Sequence, residues 1–309
     1  MRTCLIVNSK SGGWGVWQHK LQQLAAQAAV PVLQEDRDRP LTQLLADARL
    51  DGYQRIVVAG GDGTLSRVVR HTIDYLDDIE LALLPTGTGN DLARSLGLFG
   101  ESLEDVWQWA VSEPTVPIDL VKVSNGETHY IINAATGGFG GVVSTDVTSE
   151  DKRRWGAIAY WMTAFSKLVA LEEFDVHLEL DSRTVALRTY GLAIANGRYV
   201  GGGFPVAPTA TLNDGLLDVT TVPVLPPMEL LAAGLDFSLG RHHQTERVRT
   251  YRSSRVHVHA TPVLPYSLDG EPTRSIDATF EVIPNAVQIV CGPQPAALQA
   301  CHRESQIVA

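Results

Sequence analysis

The stretch from Arg55 to Leu65 constrains the fold more than any other part of the sequence. A short apolar run, Ile56–Ala59, has the composition of a buried strand. It runs into Gly60-Gly61-Asp62-Gly63-Thr64, after which the pattern over Leu65–Ile73 predicts a helix. A strand, a glycine turn and a helix start bring backbone N–H groups and a positive helix end to one point. This arrangement is typical of a phosphate-binding site.

A carboxylate lies among these glycines, and a second loop repeats the arrangement. Asp62 would repel phosphate unless a cation sat between them, so this residue indicates bound Mg²⁺. One predicted strand later, Gly87-Thr88-Gly89-Asn90-Asp91 again combines glycines, a hydroxyl and an acid. Taken alone, Asp91 suits a helix N-cap or first turn as well as it suits a metal. Taken together, the two loops predict a site for a nucleotide and Mg²⁺.

The first part of the chain alternates strand and helix patterns, which predicts an open parallel sheet with helices on both faces. Strands are predicted at Thr3–Asn8, Val30–Leu33, Ile56–Ala59 and Glu80–Leu84, and helices at Trp17–Ala29, Leu41–Leu50, Leu65–Ile73, Leu92–Leu96 and Leu103–Val111. Ligands of such sheets bind outside the carboxyl ends of the strands. Both glycine loops follow strands, so we expect them on that one edge.

After Pro117 the chain changes to alternating runs separated by Asn-Gly and Asp-Gly turns, which predicts an antiparallel β-sandwich. Strands are predicted at Ile118–Val123, Tyr130–Ala134, Val176–Leu180, Val185–Ala195, Leu217–Val222, Val256–His259, Ala278–Val282 and Val287–Val290. We therefore predict an α/β domain over residues 1–116, an all-β domain over 117–294, and an active site in the cleft between them. The tail, 295–309, either frays or returns to the first domain.

One apolar segment, Trp155–Leu171, interrupts the β region and follows the charged run Asp151–Arg154. It is shorter than the roughly 20 residues of a membrane-spanning helix. It is either a buried or half-buried helix, or a helix at a membrane interface with the basic run near the headgroups.

Composition excludes several classes of protein. The net charge is 25 − 35 = −10, which argues against a nucleic-acid-binding protein. The three cysteines form no CxxC pair, and the first residues lack a signal-peptide pattern, so we expect a cytoplasmic location. The sequence lacks GxxxxGK[ST] and a helix-opening GxGxxG, which excludes the P-loop and the dinucleotide fingerprint. The oligomeric state stays open, a homodimer included.

The two glycine loops carry a family resemblance. Gly60–Thr64 followed by Pro85–Arg94 (PTGTGNDLAR) resembles the diacylglycerol kinase catalytic family, which includes the soluble bacterial lipid kinases and the sphingosine kinases. The first motif is shared with NAD kinases and phosphofructokinases, and the second is typical of lipid kinases. The resemblance continues through Asn196–Gly203, Leu212–Asp218 and Leu268–Pro272, and so covers nearly the whole chain.

The resemblance implies roles for the matching residues. Those implied to bind ATP are Asn8, Gly60, Gly61, Asp62, Gly63, Thr64, Leu65, Ser66, Gly87, Thr88, Gly89 and Asn90. Asp62 and Asp91 would organise the catalytic Mg²⁺, and Glu271 would be the general base that takes a proton from a lipid hydroxyl. Asp214, with the backbone carbonyls of Thr211 and Leu216, matches a structural Mg²⁺ site; a simple Asn-Asp-Gly turn is an equal alternative.

The sequence departs from the family pattern near the nucleotide. Glu35-Asp36 lies where a threonine is common, Ser66-Arg67 replaces Asn-Glu, and Ser9 replaces a proline. These departures bear on nucleotide affinity and choice. Two histidine pairs, His257 with His259 and His242 with His243, lack an evident third metal ligand, so we interpret them as surface or core histidines.

The combined interpretation is a two-domain kinase that transfers the γ-phosphoryl of Mg-ATP to a lipid hydroxyl. Diacylglycerol, giving phosphatidic acid, is the leading acceptor, and a sphingoid base or another long-chain alcohol is the close alternative. A NAD kinase-like enzyme and a non-catalytic nucleotide or lipid sensor are the other two classes. A lipid substrate is presented at a membrane, so we expect transient membrane association, with Trp155–Leu171 as the candidate contact.

Overall fold

The structure is a computed structural model that describes residues 1–8, 14–138, 172–238, 240–241, 245–295 and 297–298. The predicted segment Trp155–Leu171, the pair His242 and His243, and the end of the tail lie outside these ranges. Within them, no helix is both long enough and apolar enough to cross a membrane.

The first part of the described chain alternates strands and helices, as predicted. The elements are β1 (Thr3–Asn8), α1 (Trp14–Gln27), β2 (Val32–Glu35), α2 (Leu41–Leu50), β3 (Arg55–Gly60), α3 (Asp62–Thr72), a 3-10 turn (Ile73–Asp78), β4 (Glu80–Pro85), α4 (Asp91–Ser95) and α5 (Leu103–Ser112). The bounds of β1 and α2 agree with the prediction at both ends. Helix α3 begins three residues earlier than predicted, because Asp62, Gly63 and Thr64 form its first turn.

The rest of the described chain is mostly strands. They are β5 (Thr115–Ser124), β6 (Thr128–Ile131), β7 (Ala134–Gly138), β8 (Phe174–Leu180), β9 (Thr184–Ala195), β10 (Tyr199–Val200), β11 (Phe204–Pro205), β12 (Leu217–Pro223), β13 (Arg249–Ser253), β14 (Arg255–Leu268) and β15 (Glu271–Val290). In the described part of this half, one helix, α6 (Pro227–Ser238), lies among the strands, and it was not predicted from the sequence. Three residues separate it from β12, and no Ser, Thr, Asp or Asn precedes it at a capping position.

The predicted parallel sheet is present, and it continues into the β half. Strands β2, β1, β3 and β4 are adjacent and parallel. Thirteen strands of the described chain belong to one sheet, and β15 joins its two parts. Strand β15 pairs parallel with β4 near Gln288 and antiparallel with β5 and β14.

The prediction of separate strands at Ala278–Val282 and Val287–Val290 was wrong, because one strand spans both. The Pro284-Asn285 pair has the composition of a turn, but the structure accommodates it as a register shift against β5. Asn285 adopts φ 55°, which asparagine tolerates better than most residues. Its N–H donates to the buried Asp119 carboxylate at 2.8 Å, so the irregularity is stabilised and the strand continues.

Two main hydrophobic cores form, and two strands pass between them. On β5, Ile118 and Leu120 pack in the core of the parallel sheet, whereas Val121 and Val123 pack in the core of the β half. Strand β15 likewise returns to the first core at its end. The start of the tail follows it, since Ala297 is fully buried in that first core.

A buried arginine fixes the start of the parallel sheet, and we expect its loss to destabilise the fold. Arg55 is 3% exposed. Its Nε donates to Glu80 at 2.8 Å and its Nη1 to the carbonyl of Ala110 at 3.2 Å. We expect Arg55→Met to lower the free energy of unfolding by roughly 2 kcal/mol, since charged hydrogen bonds are lost and Glu80 keeps its charge. Urea unfolding followed by circular dichroism measures this.

The matched control is Arg39→Met, because the ion pair of Arg39 with Asp47 is largely exposed. We expect that change to cost no more than about 0.5 kcal/mol. Equal losses in the two variants would contradict the role given to Arg55.

Candidate active site

The two predicted glycine loops touch each other at the carboxyl ends of neighbouring strands. The first follows β3 and the second follows β4. A Cβ placed on Gly87 would lie 2.4 Å from the Cα of Gly61 and 2.8 Å from its nitrogen. Only glycine permits this approach, so the two backbones define one surface, as the sequence predicted.

Asp62 connects the loops through the start of a helix. Its carboxylate accepts hydrogen bonds from the backbone N–H of Asp91 at 2.7 Å and of Leu92 at 3.0 Å. These are the first two residues of α4, where an anion interacts favourably with the helix dipole. Asp62 therefore fixes the second loop relative to the first.

Asp91 connects the glycine loops to the β half. Its carboxylate accepts from the N–H of Gly202 at 3.0 Å and from that of Gly203 at 2.6 Å. Both glycines have positive φ, 92° and 107°, which suits glycine alone. The loop Gly201–Gly203 is thus bound to the first domain by an acid that follows β4.

The carboxylates of Asp62 and Asp91 repel each other electrostatically. Burial raises the pKa of Asp62 to about 6, and the negative charge of Asp91 adds to that rise. A Cβ on Gly89 would lie 3.5 Å from an Asp62 carboxylate oxygen and 3.6 Å from an Asp91 one, so both face the same small space. A hard cation with oxygen ligands fits this donor set. Among the described residues, no group of three or more His, Cys, Asp or Glu side chains is arranged to hold a metal ion, so phosphate or water would complete the coordination.

A cavity of about 560 Å³ opens beside these carboxylates. The predicted residues that line it are Gly61, Asp62, Gly63, Thr88, Gly89, Asp91 and Glu271. The structure therefore brings both loops and the expected base to one space, although Glu271 is about two hundred residues distant in sequence.

The other predicted nucleotide-binding residues lie behind this surface and shape it. Thr64, Leu65, Ser66 and Asn90 are buried. None of these four lines the cavity, and neither does Gly60 or Gly87. Asn90 adopts φ 53°, and its amide donates to the carbonyls of Pro85 at 3.2 Å and Gly87 at 2.8 Å. Its Oδ1 is buried and lacks a partner in the described part of the chain. Asn8 ends β1, opposite Glu35 on β2.

Another part of the cavity wall is apolar, which the sequence did not reveal. Helix α6 contributes Leu230, Ala233 and Phe237, and β9 contributes Leu192 and Ala193. The ring of Phe237 stacks on that of Phe204 with centroids 5.6 Å apart. Because α6 was not predicted, no sequence signal placed an apolar wall next to the glycine loops.

Glu271 lies at the polar end, paired with a residue that the sequence analysis missed. It is the first residue of β15, directly after the Asp269-Gly270 turn. Both carboxylate oxygens accept from the guanidinium of Arg70 on α3, with Nη2 2.5 Å from Oε1. That bond lowers the pKa of Glu271, so the carboxylate is ionised and able to accept a proton at neutral pH.

Asp269, in the same turn, is a second missed residue. Its carboxylate accepts from the backbone N–H groups of Ile132 at 2.8 Å, Asn133 at 3.1 Å and Ala134 at 3.0 Å, and from the hydroxyl of Ser66. Burial raises the pKa of Asp269, and these bonds oppose the rise. An Asp-Gly pair predicts a turn, but nothing in it shows that the aspartate is half-buried and bonded to three backbone N–H groups.

The predicted structural Mg²⁺ site around Asp214 contains an arginine. Asp214 pairs with the guanidinium of Arg252 and accepts from the N–H of Leu216 at 3.1 Å, one residue beyond the Asp214-Gly215 turn. Asp218 lies 3.5 Å from the same guanidinium. Arg252 thus supplies positive charge to both carboxylates. The role of Thr211, Asp214 and Leu216 as its ligands stays a prediction.

Two departures from the family pattern pair with each other. Arg67 donates to both oxygens of Glu35, at 2.5 and 3.1 Å, so the acid at the end of β2 is matched by the cation on α3.

The histidines on β14 also have acidic partners. His259 lies 2.8 Å from Asp277, and His257 lies 3.5 Å from Asp277 and from Glu179.

Comparisons with known proteins match both parts of the chain. The family model "Diacylglycerol kinase catalytic domain" matches residues 2–123, and "YegS C-terminal NAD kinase beta sandwich-like domain" matches residues 134–291. The second model alone covers more than half of the chain. The predicted resemblance is therefore confirmed, and so is the combination of an α/β domain with a β-rich domain.

Several relatives match over most of their length. The protein named "Probable lipid kinase YegS-like" from Stenotrophomonas maltophilia is 33% identical over 92% of this chain and 94% of its own. One of the same name from Xanthomonas campestris is 34% identical over 82% of this chain and 84% of its own. The crystal structure of a diacylglycerol kinase from Bacillus anthracis has a TM-score of 0.69 at 19% identity, covering 94% of this chain and 97% of that one. At that identity the likeness shows the fold alone.

The contact between the glycine loops gives a prediction. We expect Gly87→Ala to destabilise the protein by about 1–3 kcal/mol, because the added methyl group overlaps the Gly61 backbone. We also expect it to weaken ATP binding at least tenfold, since the loops must separate. Thermal unfolding and calorimetric titration with ATP measure the two effects.

Gly63→Ala is the matched control for stability, because a Cβ at that position meets no heavy atom within 4 Å. We expect its melting temperature to equal or slightly exceed that of the unaltered protein, because alanine favours the first turn of α3 more than glycine does. A Gly87→Ala variant that melts and binds ATP normally would show that the loops do not need this contact.

Proposed function

Because this chain belongs to the family of YegS-like lipid kinases with a diacylglycerol kinase catalytic domain, we propose that it phosphorylates diacylglycerol to phosphatidic acid. Family membership makes it a lipid kinase and implies the use of ATP. The acceptor, the Mg²⁺ ion and the residue roles below are our proposal.

The observation that carries the proposal is the two-ended cavity. Its polar end combines two glycine loops, two convergent aspartates and Glu271, while its apolar end is lined by α6 and β9. A phosphate donor fits the first end, and an acyl chain fits the second. A lipid hydroxyl at their junction would lie next to Glu271.

Each group of residues at the polar end has its own role in the proposed reaction. Glu271 accepts the proton of the lipid hydroxyl as that oxygen attacks the γ-phosphorus, and the bond to the β-phosphate oxygen breaks to release ADP. The backbone of Gly61 and Gly63 and the hydroxyl of Thr88 bind phosphate oxygens. Asp62 and Asp91 would hold Mg²⁺, which when bound neutralises negative charge on the transferred phosphoryl group.

The lining of the cavity also helps to judge the alternative functions, namely a NAD kinase, a non-catalytic sensor and a kinase for another long-chain alcohol. A NAD kinase must bind a second nucleotide, and the apolar wall of α6 and β9 offers poor partners for one. A non-catalytic sensor needs no ionised base, yet Glu271 lies at the polar end with a lowered pKa. A sphingoid base or another long-chain alcohol fits the same two ends, and is the second candidate acceptor.

Membrane contact completes the proposal, since a long-chain lipid substrate resides in a bilayer. We propose that the enzyme works at a membrane surface without crossing it. The candidate contact Trp155–Leu171 lies outside the described residues, so its role stays a prediction. A homodimer also stays a prediction.

The proposed reaction is tested with labelled ATP and Mg²⁺ against diacylglycerol, ceramide, sphingosine and polyprenol in mixed micelles. We expect diacylglycerol to be labelled most rapidly, and labelling to stop when Mg²⁺ is chelated. Glu271→Gln should lower kcat at least about a hundredfold with ATP binding unchanged, because a positioned base contributes that much. If sphingosine is labelled most rapidly, the acceptor is a sphingoid base and not diacylglycerol. If no lipid is labelled, the proposed reaction is refuted.

The apolar end gives a separate prediction. Ala193 lines the cavity and is 7% exposed. We expect Ala193→Phe to lower kcat/KM for long-chain diacylglycerol at least tenfold, because the ring fills space needed by an acyl chain. ATP affinity should not change. The measurement is micelle kinetics with acceptors of increasing chain length.

Ala186→Phe is the matched control, since Ala186 lies on the same strand but is exposed. We expect its kinetics to equal those of the unaltered enzyme. Equal kinetics for both variants would place the acyl chain elsewhere.

A further inference from the structure

One helix contacts both the nucleotide loop and the turn that carries the proposed base. Helix α3 begins with Asp62, in the first glycine loop. Further along it, Ser66 and Arg70 are four residues apart and so lie on one face. Their partners are Asp269 and Glu271, two residues apart at the β14–β15 turn.

The first of these contacts is buried. Ser66 is 3% exposed, and its hydroxyl bonds to the Asp269 carboxylate. Asp269 adopts φ 47°, and its own N–H donates to the carbonyl of Ala134 at 3.0 Å. The turn is therefore fixed both to α3 and to the start of β7.

The second contact is bidentate. A guanidinium that bonds both carboxylate oxygens sets the orientation of the carboxylate as well as its distance. Other charges face Glu271 as well, namely Arg67 on the same helix and His129 on β6, and both lower its pKa. Arg67, however, directs both of its terminal nitrogens at Glu35. Arg70 is thus the cation that bonds Glu271 directly.

We propose that Ser66 and Arg70 are positioning residues, which hold Glu271 at a fixed place relative to the nucleotide loop at the start of the same helix. The residues from Asp62 to Arg70 span about 12 Å of helix. Helical side chains point back toward the N-terminus, so Arg70 leans toward the phosphate end. This inference rests on the proposed function, because it takes Glu271 as the base.

The kinetic test compares Arg70→Gln, Arg70→Lys and Ser66→Ala in diacylglycerol phosphorylation. We expect Arg70→Gln to lower kcat at least about tenfold, since small misplacements of a reacting group are costly. The KM for ATP should stay within about twofold, because Arg70 does not line the cavity. Without the guanidinium the pKa of Glu271 rises, more of it is protonated at any acidic pH, and the acid limb of the rate profile moves to higher pH.

The lysine variant separates charge from orientation. Lysine keeps the positive charge but cannot bond both oxygens in a fixed plane. We expect Arg70→Lys to keep the acid limb near that of the unaltered enzyme while kcat stays reduced. The control for lost charge is Arg39→Gln on the surface, with kcat and pH profile unchanged. Normal kcat and normal acid limb in Arg70→Gln would overturn the proposal.

Hydrogen exchange tests the same contacts without any lipid. We expect Ser66→Ala and Arg70→Gln, but not Arg39→Gln, to speed exchange at Asp269 and at Ile132, Asn133 and Ala134, whose N–H groups bond Asp269. Unchanged exchange in both variants would overturn the positioning role. An unaltered enzyme that labels no lipid, with faster exchange in the variants, would refute the proposed reaction while retaining the contacts.

Discussion

The site depends on the approach of two backbones, Gly61 and Gly87, closer than any side chain allows. Two parallel strands bring the loops to one edge, and the missing side chains let them touch. Asp62 then bonds the N–H groups at the start of α4, so the second loop is oriented by the first. A phosphate surface made of backbone N–H groups needs this rigidity, because backbone donors cannot reorient as side chains do.

The two halves of the chain are joined where the chemistry is proposed. Asp91 bonds the Gly202 and Gly203 backbone, and Ser66 and Arg70 bond the turn that carries Glu271. Strand β15 adds a covalent connection, since it starts at Glu271 and ends in the core of the parallel sheet. A donor on one half and a base on the other are therefore set at a fixed separation by the fold itself.

Whether a feature could be predicted from the sequence depends on how far apart along the chain its interacting residues lie. The glycine loops and helix α2 depend on neighbours in sequence, so local pattern was enough. The register shift at Asn285 depends on Asp119, more than 160 residues distant, whereas the sequence predicted two separate strands around it. The resemblance suggested Glu271, but its partner Arg70 and the contact of Asp269 with Ser66 are set across the two halves. Helix α6 has an apolar pattern without a capping signal, so the apolar part of the cavity was missed.

Asp62 caps helix α4, and we also propose that it binds a cation. The geometry of its carboxylate allows both roles. A carboxylate offers about four lone-pair sites, and the two backbone N–H groups use two of them. The cap orients the carboxylate, and its oxygen near Gly89 faces that of Asp91. Burial and the neighbouring charge raise the pKa of Asp62 to about 6, so the ionised pair is costly until positive charge arrives. A cation delivered with the nucleotide would relieve that cost in a site whose ligands are already oriented, and the structural role of Asp62 thereby supports its proposed catalytic one.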